Sequence, residues 1–167
     1  MRKGKERSRL SRDWETVRAE IEAIISDKNL DASSFRRLRN NEGWAEIEEK
    51  IYHQFCTLDH PLARPVWLWE NFKQETFAVE GADTWQRLEK LVDHDELVWF
   101  FTNGDKDKLW FYEGKVKAVI TIIEESSYLD EFYICSKKYE WMICFNHHDT
   151  LIATGSIMPG KLRSLQE

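Results

Sequence analysis

The spacing of apolar residues changes partway along this chain, and that change constrains the fold more than any other feature. From Asp13 to about Val92, apolar residues recur at the spacing of one helix face. After Asp95 they alternate with polar residues or form short β-branched runs, which is typical of strands. A chain with helices first and strands afterwards predicts an α+β domain.

The helical half predicts three clear helices, at residues 13–25, 42–58 and 84–92. We expect Asn41 and Asp83 to cap the second and third of them, and Trp44 to face inward. Residues 31–40 favour a further short helix, which opens at Ser33 or Ser34. Residues 66–79 fit a strand or a helix equally well, so their conformation is left open.

The second half predicts six short strands, at residues 97–102, 109–112, 116–123, 131–135, 140–145 and 151–154. Turn residues separate them, as at Asn103–Asp105 and Glu113–Lys115. Short connections indicate an antiparallel meander of about five or six strands, with the N-terminal helices packed on one face. We expect a single domain over 13–158 and a short frayed tail over 159–167.

Charge is spread unevenly along the chain. Residues 1–12 contain six Lys or Arg and one Glu, whereas the other 155 residues contain 18 basic and 29 acidic side chains. The segment 1–12 is therefore expected to be a basic disordered arm. The acidic remainder suits a protein partner that is itself basic and makes nucleic acid an unfavourable partner.

Cysteine usage and hydropathy bear on the compartment. Cys56, Cys135 and Cys144 are few, odd in number and set among apolar residues, as expected of reduced thiols in the cytoplasm. The longest apolar runs are far shorter than the roughly 20 residues that cross a bilayer. We therefore expect a cytoplasmic protein that does not enter a membrane.

The segment Asn146-His147-His148-Asp149 is the most suggestive local motif. Together with Cys144 it has spacing found in metal sites, and it could centre a metal-assisted hydrolase. The ligand set is incomplete, however, so we assign no metal and no cofactor. The alternative is a hairpin turn in which Asn146 and Asp149 satisfy backbone groups and the two histidines face opposite ways.

A second group of candidate binding residues is acidic: Glu124, Glu125, Asp130 and Glu131. Such carboxylates could carry acid–base chemistry or hold Mg²⁺, but they more often form a solvated sheet edge. The chain contains no nucleophile-elbow, phosphate-loop or zinc-protease motif. We therefore predict no catalytic residues.

Two resemblances follow from these residues. The runs Trp110–Lys115 (WFYEGK), Glu131–Trp141 (EFYICSKKYEW) and Asn146–Asp149 (NHHD) resemble a group of small uncharacterised bacterial proteins. The order of helices followed by a tryptophan-rich meander is similar in layout to SUKH-type immunity proteins. That resemblance implies binding and silencing of a cognate toxin without catalysis.

The prediction is thus a non-enzymatic protein-binding module, an immunity protein in its specific form, which presents an acidic surface to a basic partner. The alternative is the metal-assisted hydrolase centred on Asn146–Asp149.

Overall fold

The structure is a computed structural model that describes residues 13–103 and 108–166, without the side chains of residues 13–16. The expected arm at 1–12, the centre of the turn after Asn103 and the last residue of the expected tail lie outside these ranges. The helices are α1 (Asp13–Asp27), α2 (Trp44–Phe55), α3 (Leu88–Leu91), α4 (Val116–Glu125) and α5 (Met158–Ser164). The strands are β1 (Phe35–Arg37), β2 (Thr76–Glu80), β3 (Leu97–Asn103), β4 (Leu109–Lys115), β5 (Phe132–Ser136), β6 (Trp141–Phe145) and β7 (Thr150–Gly155).

All seven strands form one antiparallel sheet in the order β1-β4-β3-β5-β6-β7-β2. The predicted α+β class with helices first and an antiparallel sheet is confirmed. The strand count is seven rather than five or six, because β1 and β2 from the first half join the sheet at its edges. The short helix expected near Ser33 is absent. Instead, Asp31 Oδ1 accepts the N–H groups of Ser33 and Ser34, both at 3.0 Å, and this turn leads into β1.

The prediction of a strand at residues 116–123 is wrong, because these residues belong to α4. Strands β4 and β5 both pair antiparallel with β3, so they run parallel to each other. Parallel strands need a crossover connection, which is usually a helix. Val116, Val119, Ile120 and Ile123 are spaced for one helix face and are all buried. Packing against the sheet therefore outweighs the β preference of branched side chains.

Helices cover both faces of the sheet, so the prediction that they cover one face is also wrong. Helices α1, α3, α4 and α5 pack on the face that carries Phe132 and Ile134 of β5. Helix α2 and a 3-10 turn at Leu68–Asn71 cover the opposite face, which carries Tyr133 and Cys135. Every residue of β5 and β6 is consequently buried. Apart from Ser136, both strands consist of hydrophobic residues, as expected where neither face of a strand meets solvent.

The expected tail at residues 159–167 contains a helix instead. Pro159 lies in the first turn of α5, where its missing N–H removes no helix hydrogen bond, so it opens the helix rather than breaking it. Met158 and Leu162 are buried in the core beside β7 and β2. Their burial docks the C-terminal segment on the sheet.

Other local predictions differ from the structure at helix starts. The N-cap of α2 is Gly43, at φ 73°, and not Asn41, and the first-turn residue Trp44 is 38% exposed rather than inward. Asp83 precedes a 3-10 turn at Thr84–Arg87 without making a side-chain cap. Residues 66–79 contain the 3-10 turn at Leu68–Asn71 and most of β2. Among the described residues, no helix is long and apolar enough to span a membrane.

Candidate functional site: a buried glutamate beneath an aromatic surface

A buried carboxylate lies where β3 ends, β5 begins and β6 turns into β7. Glu131 directly precedes β5 and is 4% exposed. Its Oε1 accepts the indole N–H of Trp69 at 3.0 Å, and its Oε2 accepts the Asn103 amide at 3.0 Å and the Tyr133 hydroxyl at 3.2 Å. Several donors from separate segments thus satisfy one acid, which is what a buried carboxylate requires.

His147 completes the surroundings of this carboxylate. Its backbone N–H lies 3.3 Å and its Nδ1 3.0 Å from Oε1 of Glu131. The imidazole is 35% exposed, whereas Glu131 is almost fully enclosed. Glu131 therefore fixes the orientation of a side chain that reaches the surface.

The turn that carries His147 is built by its neighbours. Oδ1 of Asn146 accepts the backbone N–H groups of His148 at 3.0 Å and Thr150 at 3.2 Å, as predicted for a hairpin turn. Asp149 adopts a left-handed conformation with φ 55°, and its carbonyl accepts the N–H of Gly81 at 2.8 Å. Asn146 is buried and Asp149 is exposed, so of the two only Asp149 presents its side chain to a partner.

The two histidines do not face opposite ways, contrary to prediction. Their ring centroids are 4.1 Å apart, and both rings contact Trp69, at 6.0 Å for His147 and 5.9 Å for His148. The ring of Trp67 lies 5.3 Å from His147 and 6.4 Å from Trp69. We call these four residues, Trp67, Trp69, His147 and His148, the Trp67–His147 surface.

Apolar and acidic side chains adjoin this surface along the chain. The connector that leads to Trp67 exposes Leu62 by 79% and Val66 by 48%, and Trp67 itself is 40% exposed. Glu70 follows Trp69 in the 3-10 turn and is exposed, as is Asp149 in the β6–β7 turn. The aromatic surface is therefore preceded in the chain by exposed apolar residues. Exposed carboxylates follow its rings on two separate segments, Glu70 after Trp69 and Asp149 after His148.

The predicted acidic group does not converge. Glu124 and Glu125 are exposed at the end of α4, which packs on the opposite face of the sheet from Tyr133. Glu125 pairs with Lys28 at 3.3 Å. Asp130 is half-buried beside Glu131 in the chain. Glu131 contacts the turn at Asn146–Asp149 through the backbone N–H and Nδ1 of His147.

The neighbouring thiol is held in its protonated form. Burial raises the pKa of Cys144 well above its ordinary value, and the Glu131 carboxylate raises it further. Cys144 is therefore a poor metal ligand or nucleophile, since both roles need the thiolate. Across residues 13–103 and 108–166, no three His, Cys, Asp or Glu side chains are grouped so that they could hold a metal ion.

Sequence reasoning did not assign Trp67, Trp69, Asn103 or Tyr133 to a site. Trp67 and Trp69 are two positions apart, as in a strand, but residues 66–79 fit a helix equally well, so the sequence does not predict where these two rings lie. Asn103 and Tyr133 meet at Glu131 because the strand order places the end of β3 beside the start of β5, and the 3-10 turn brings Trp69 to the same carboxylate. Trp67 contacts His147 and Trp69.

Comparison with known proteins places the chain in a family whose function is unknown. The model of a family of unknown function (DUF6756) matches residues 13–166. Searches of curated proteins and of solved structures found no match.

Proposed function

Since the chain belongs to the DUF6756 family, which carries no assigned activity, we propose from its surface chemistry that it is a non-enzymatic protein-binding module. The observation that carries this proposal is the Trp67–His147 surface, an exposed aromatic and imidazole patch tied to a buried carboxylate. Such a patch is costly to leave in water and gains energy when a partner covers it.

Rigidity makes this surface suited to binding. Glu131 holds Trp69 through the indole N–H and His147 through Nδ1, so two of the four rings are fixed before any partner arrives. Prior fixing lowers the entropy cost of association. Trp is also among the residues that contribute most binding energy at protein interfaces, which favours Trp67 as the principal contact.

The partner that this surface fits is a basic protein. Exposed carboxylates at Glu70 and Asp149 are adjacent to the aromatic rings in the chain, and residues 13–167 carry 29 acidic against 18 basic side chains. A Lys or Arg of the partner would gain both ion pairing and a cation–π contact with Trp67. A toxin silenced by an immunity protein is the specific case of such a partner, and the three buried free thiols fit a cytoplasmic setting.

Affinity capture tests this proposal. The immobilised full chain, its Trp67→Ala variant and its Ile157→Ala variant are exposed to a lysate of cells that carry the gene, and retained proteins are identified and quantified. Ile157 is 53% exposed and serves as the matched apolar control. We expect one basic protein to be retained by the parent and by Ile157→Ala and lost from Trp67→Ala. Identical retention by all three would contradict the proposal.

A second candidate function rests on the Glu131–His147 contact. If Nδ1 donates to Glu131, the other ring nitrogen can ligate a metal, and a carboxylate behind a metal-binding histidine is a recurrent arrangement. His148 supplies a second imidazole, and the function would be metal-assisted hydrolysis. Stoichiometric zinc or manganese in untagged protein, lost in both His147→Ala and His148→Ala, would favour this function over the binding module.

A further inference from the structure

A basic groove lies at the edge of the sheet formed by β1 and β4. Its volume is about 540 Å³, and it shares no residue with the Trp67–His147 surface. The residues that line it are Arg18, Arg37, Leu38, Arg39, Asn40, Trp44, Lys108, Leu109, Trp110 and Phe111. Its size falls in the range of pockets that bind small molecules.

The groove exists because β1 is short. Arg37 at the end of β1 pairs with Tyr112, and the Leu38 N–H still donates to the Phe111 carbonyl at 3.0 Å. Leu109 and Trp110 of β4 extend beyond this last contact. Among the described residues, no strand pairs with this edge of β4 beyond Arg37, and the groove lies there between the end of β1, α1 and the start of α2.

Among the described residues that line this groove, every charged side chain is basic. Arg18, Arg37, Arg39 and Lys108 contribute to its lining, and none of its described lining residues is acidic. The nearby Glu42 is already engaged, because it accepts Arg36 at 2.8 Å and the Arg39 backbone N–H at 2.6 Å. Four cations that line one groove repel one another, and a bound anion would relieve that repulsion.

Two indole rings accompany these cations. The guanidinium of Arg18 lies 4.2 Å from the ring centroid of Trp110, a stacked arrangement that restricts its motion. Trp44 lines the groove and is 38% exposed at the start of α2. A guanidinium group binds phosphate in a planar fork, and an exposed indole offers a face on which a planar ring can stack.

We propose that this groove is a binding site for a nucleoside phosphate. In this assignment Arg37, Arg39 and Lys108 contact the phosphate, and Trp44 stacks on the base. Charge complementarity selects the anion, the volume selects a small molecule, and the exposed indole selects a planar ring. The site does not depend on the proposed protein partner, since the two surfaces have no residue in common.

Isothermal titration of the full chain with AMP, adenosine, inorganic phosphate and a hexaglutamate peptide tests the proposal. We expect AMP to bind more tightly than any of the other three. Arg37→Ala combined with Arg39→Ala should weaken AMP binding about tenfold or more, because hydrogen bonds to charged groups are lost. Trp44→Ala should weaken AMP about fivefold or more and leave phosphate unchanged, because stacking alone is removed.

Two control variants separate loss of the groove from a general loss of charge or apolar surface. Lys90→Ala combined with Lys138→Ala removes the same charge from two exposed positions outside the groove, and Leu97→Ala truncates an apolar residue that is 41% exposed. Both controls should bind AMP as the parent does. Because Arg37, Arg39 and Trp44 are exposed, their variants should fold, which far-ultraviolet circular dichroism verifies.

Four results would overturn the assignment. They are no AMP binding by the parent, equal weakening by the lysine control, phosphate binding as tight as AMP binding, and tighter binding of the acidic peptide than of AMP. The last would identify the open edge of β4 as a peptide-binding edge instead.

Discussion

Replacing Glu131 with alanine removes the one acceptor shared by Trp69, Asn103, Tyr133 and His147. Tyr133 is fully buried, so water cannot replace the carboxylate as acceptor of its hydroxyl, and the thiol of Cys144 beside it is only a weak acceptor. The other donors are partly exposed and can recover hydrogen bonds to solvent. The loss is therefore concentrated in one buried hydroxyl and in the packing around the vacated side chain.

The magnitude follows from these contacts. An unsatisfied buried donor costs about 1–3 kcal/mol, and breaking a buried charged network costs about 3–5 kcal/mol. We expect Glu131→Ala to lower the free energy of unfolding by about 3–5 kcal/mol. For a chain of this size each kcal/mol lowers Tm by about 2–4 °C, so Tm should fall by roughly 6–20 °C. Glu131→Gln retains one acceptor oxygen and should lose about 1–3 kcal/mol.

Urea unfolding followed by tryptophan fluorescence measures these differences, with Glu125→Ala as the matched control. Glu125 is 45% exposed and pairs with Lys28, so its loss should cost less than about 1 kcal/mol. If Glu131→Ala were as stable as Glu125→Ala, the carboxylate would not organise the site, and the fixed geometry of the Trp67–His147 surface would need another cause.

Trp141→Ala should cost about 3–5 kcal/mol in the same assay and Trp44→Ala less than about 1 kcal/mol, because only Trp141 is buried; equal costs would refute this. The cysteines should react with a thiol reagent at about pH 8 far more slowly in the folded chain than in urea, since burial raises all three pKa values, that of Cys56 to about 12. Rapid labelling of the folded chain would contradict their burial. Burial tends to raise the pKa of Glu113, but Lys137 and Arg36 outweigh it and hold that pKa below 4.5. Stability from this group is present above pH 4.5 and is lost as the pH falls towards the folded-state pKa. When the free energy of unfolding is measured against pH, Glu113→Gln should therefore decrease less steeply than the parent on acidification. An unchanged pH dependence would show that the contacts of Glu113 with Lys137 and Arg36 do not contribute to stability.

Much of the sheet was predictable because its signals are local. Strands β3, β6 and β7 follow from short apolar runs bounded by turn residues, and Asn146 makes the turn contacts that its type suggests. By contrast, β1 has three residues and exists through its pairing with β4, a partner more than seventy positions away. No local pattern encodes such a partner.

Helix α4 shows how tertiary structure overrides local preference. Its Val and Ile residues favour a strand in isolation, yet β4 and β5 run parallel and need a crossover connection, which is usually a helix. The site was predictable only in part, because some of its contacts depend on tertiary structure. Glu131 and His147 stood out as residue types, but the contacts of Asn103 and Trp69 with that carboxylate depend on the strand order and on how the 3-10 turn at Leu68–Asn71 packs on the sheet.

The most direct test of the binding-module account is the dissociation constant between this chain and its captured partner, measured at low and high salt. For Trp67→Ala we expect affinity to weaken about 30-fold or more, the effect of a hot-spot residue worth about 2 kcal/mol. Ile157→Ala should bind as the parent does, and parent affinity should fall with rising salt because the partner is basic. A Trp67→Ala change below about threefold, or an affinity indifferent to salt, would contradict the account.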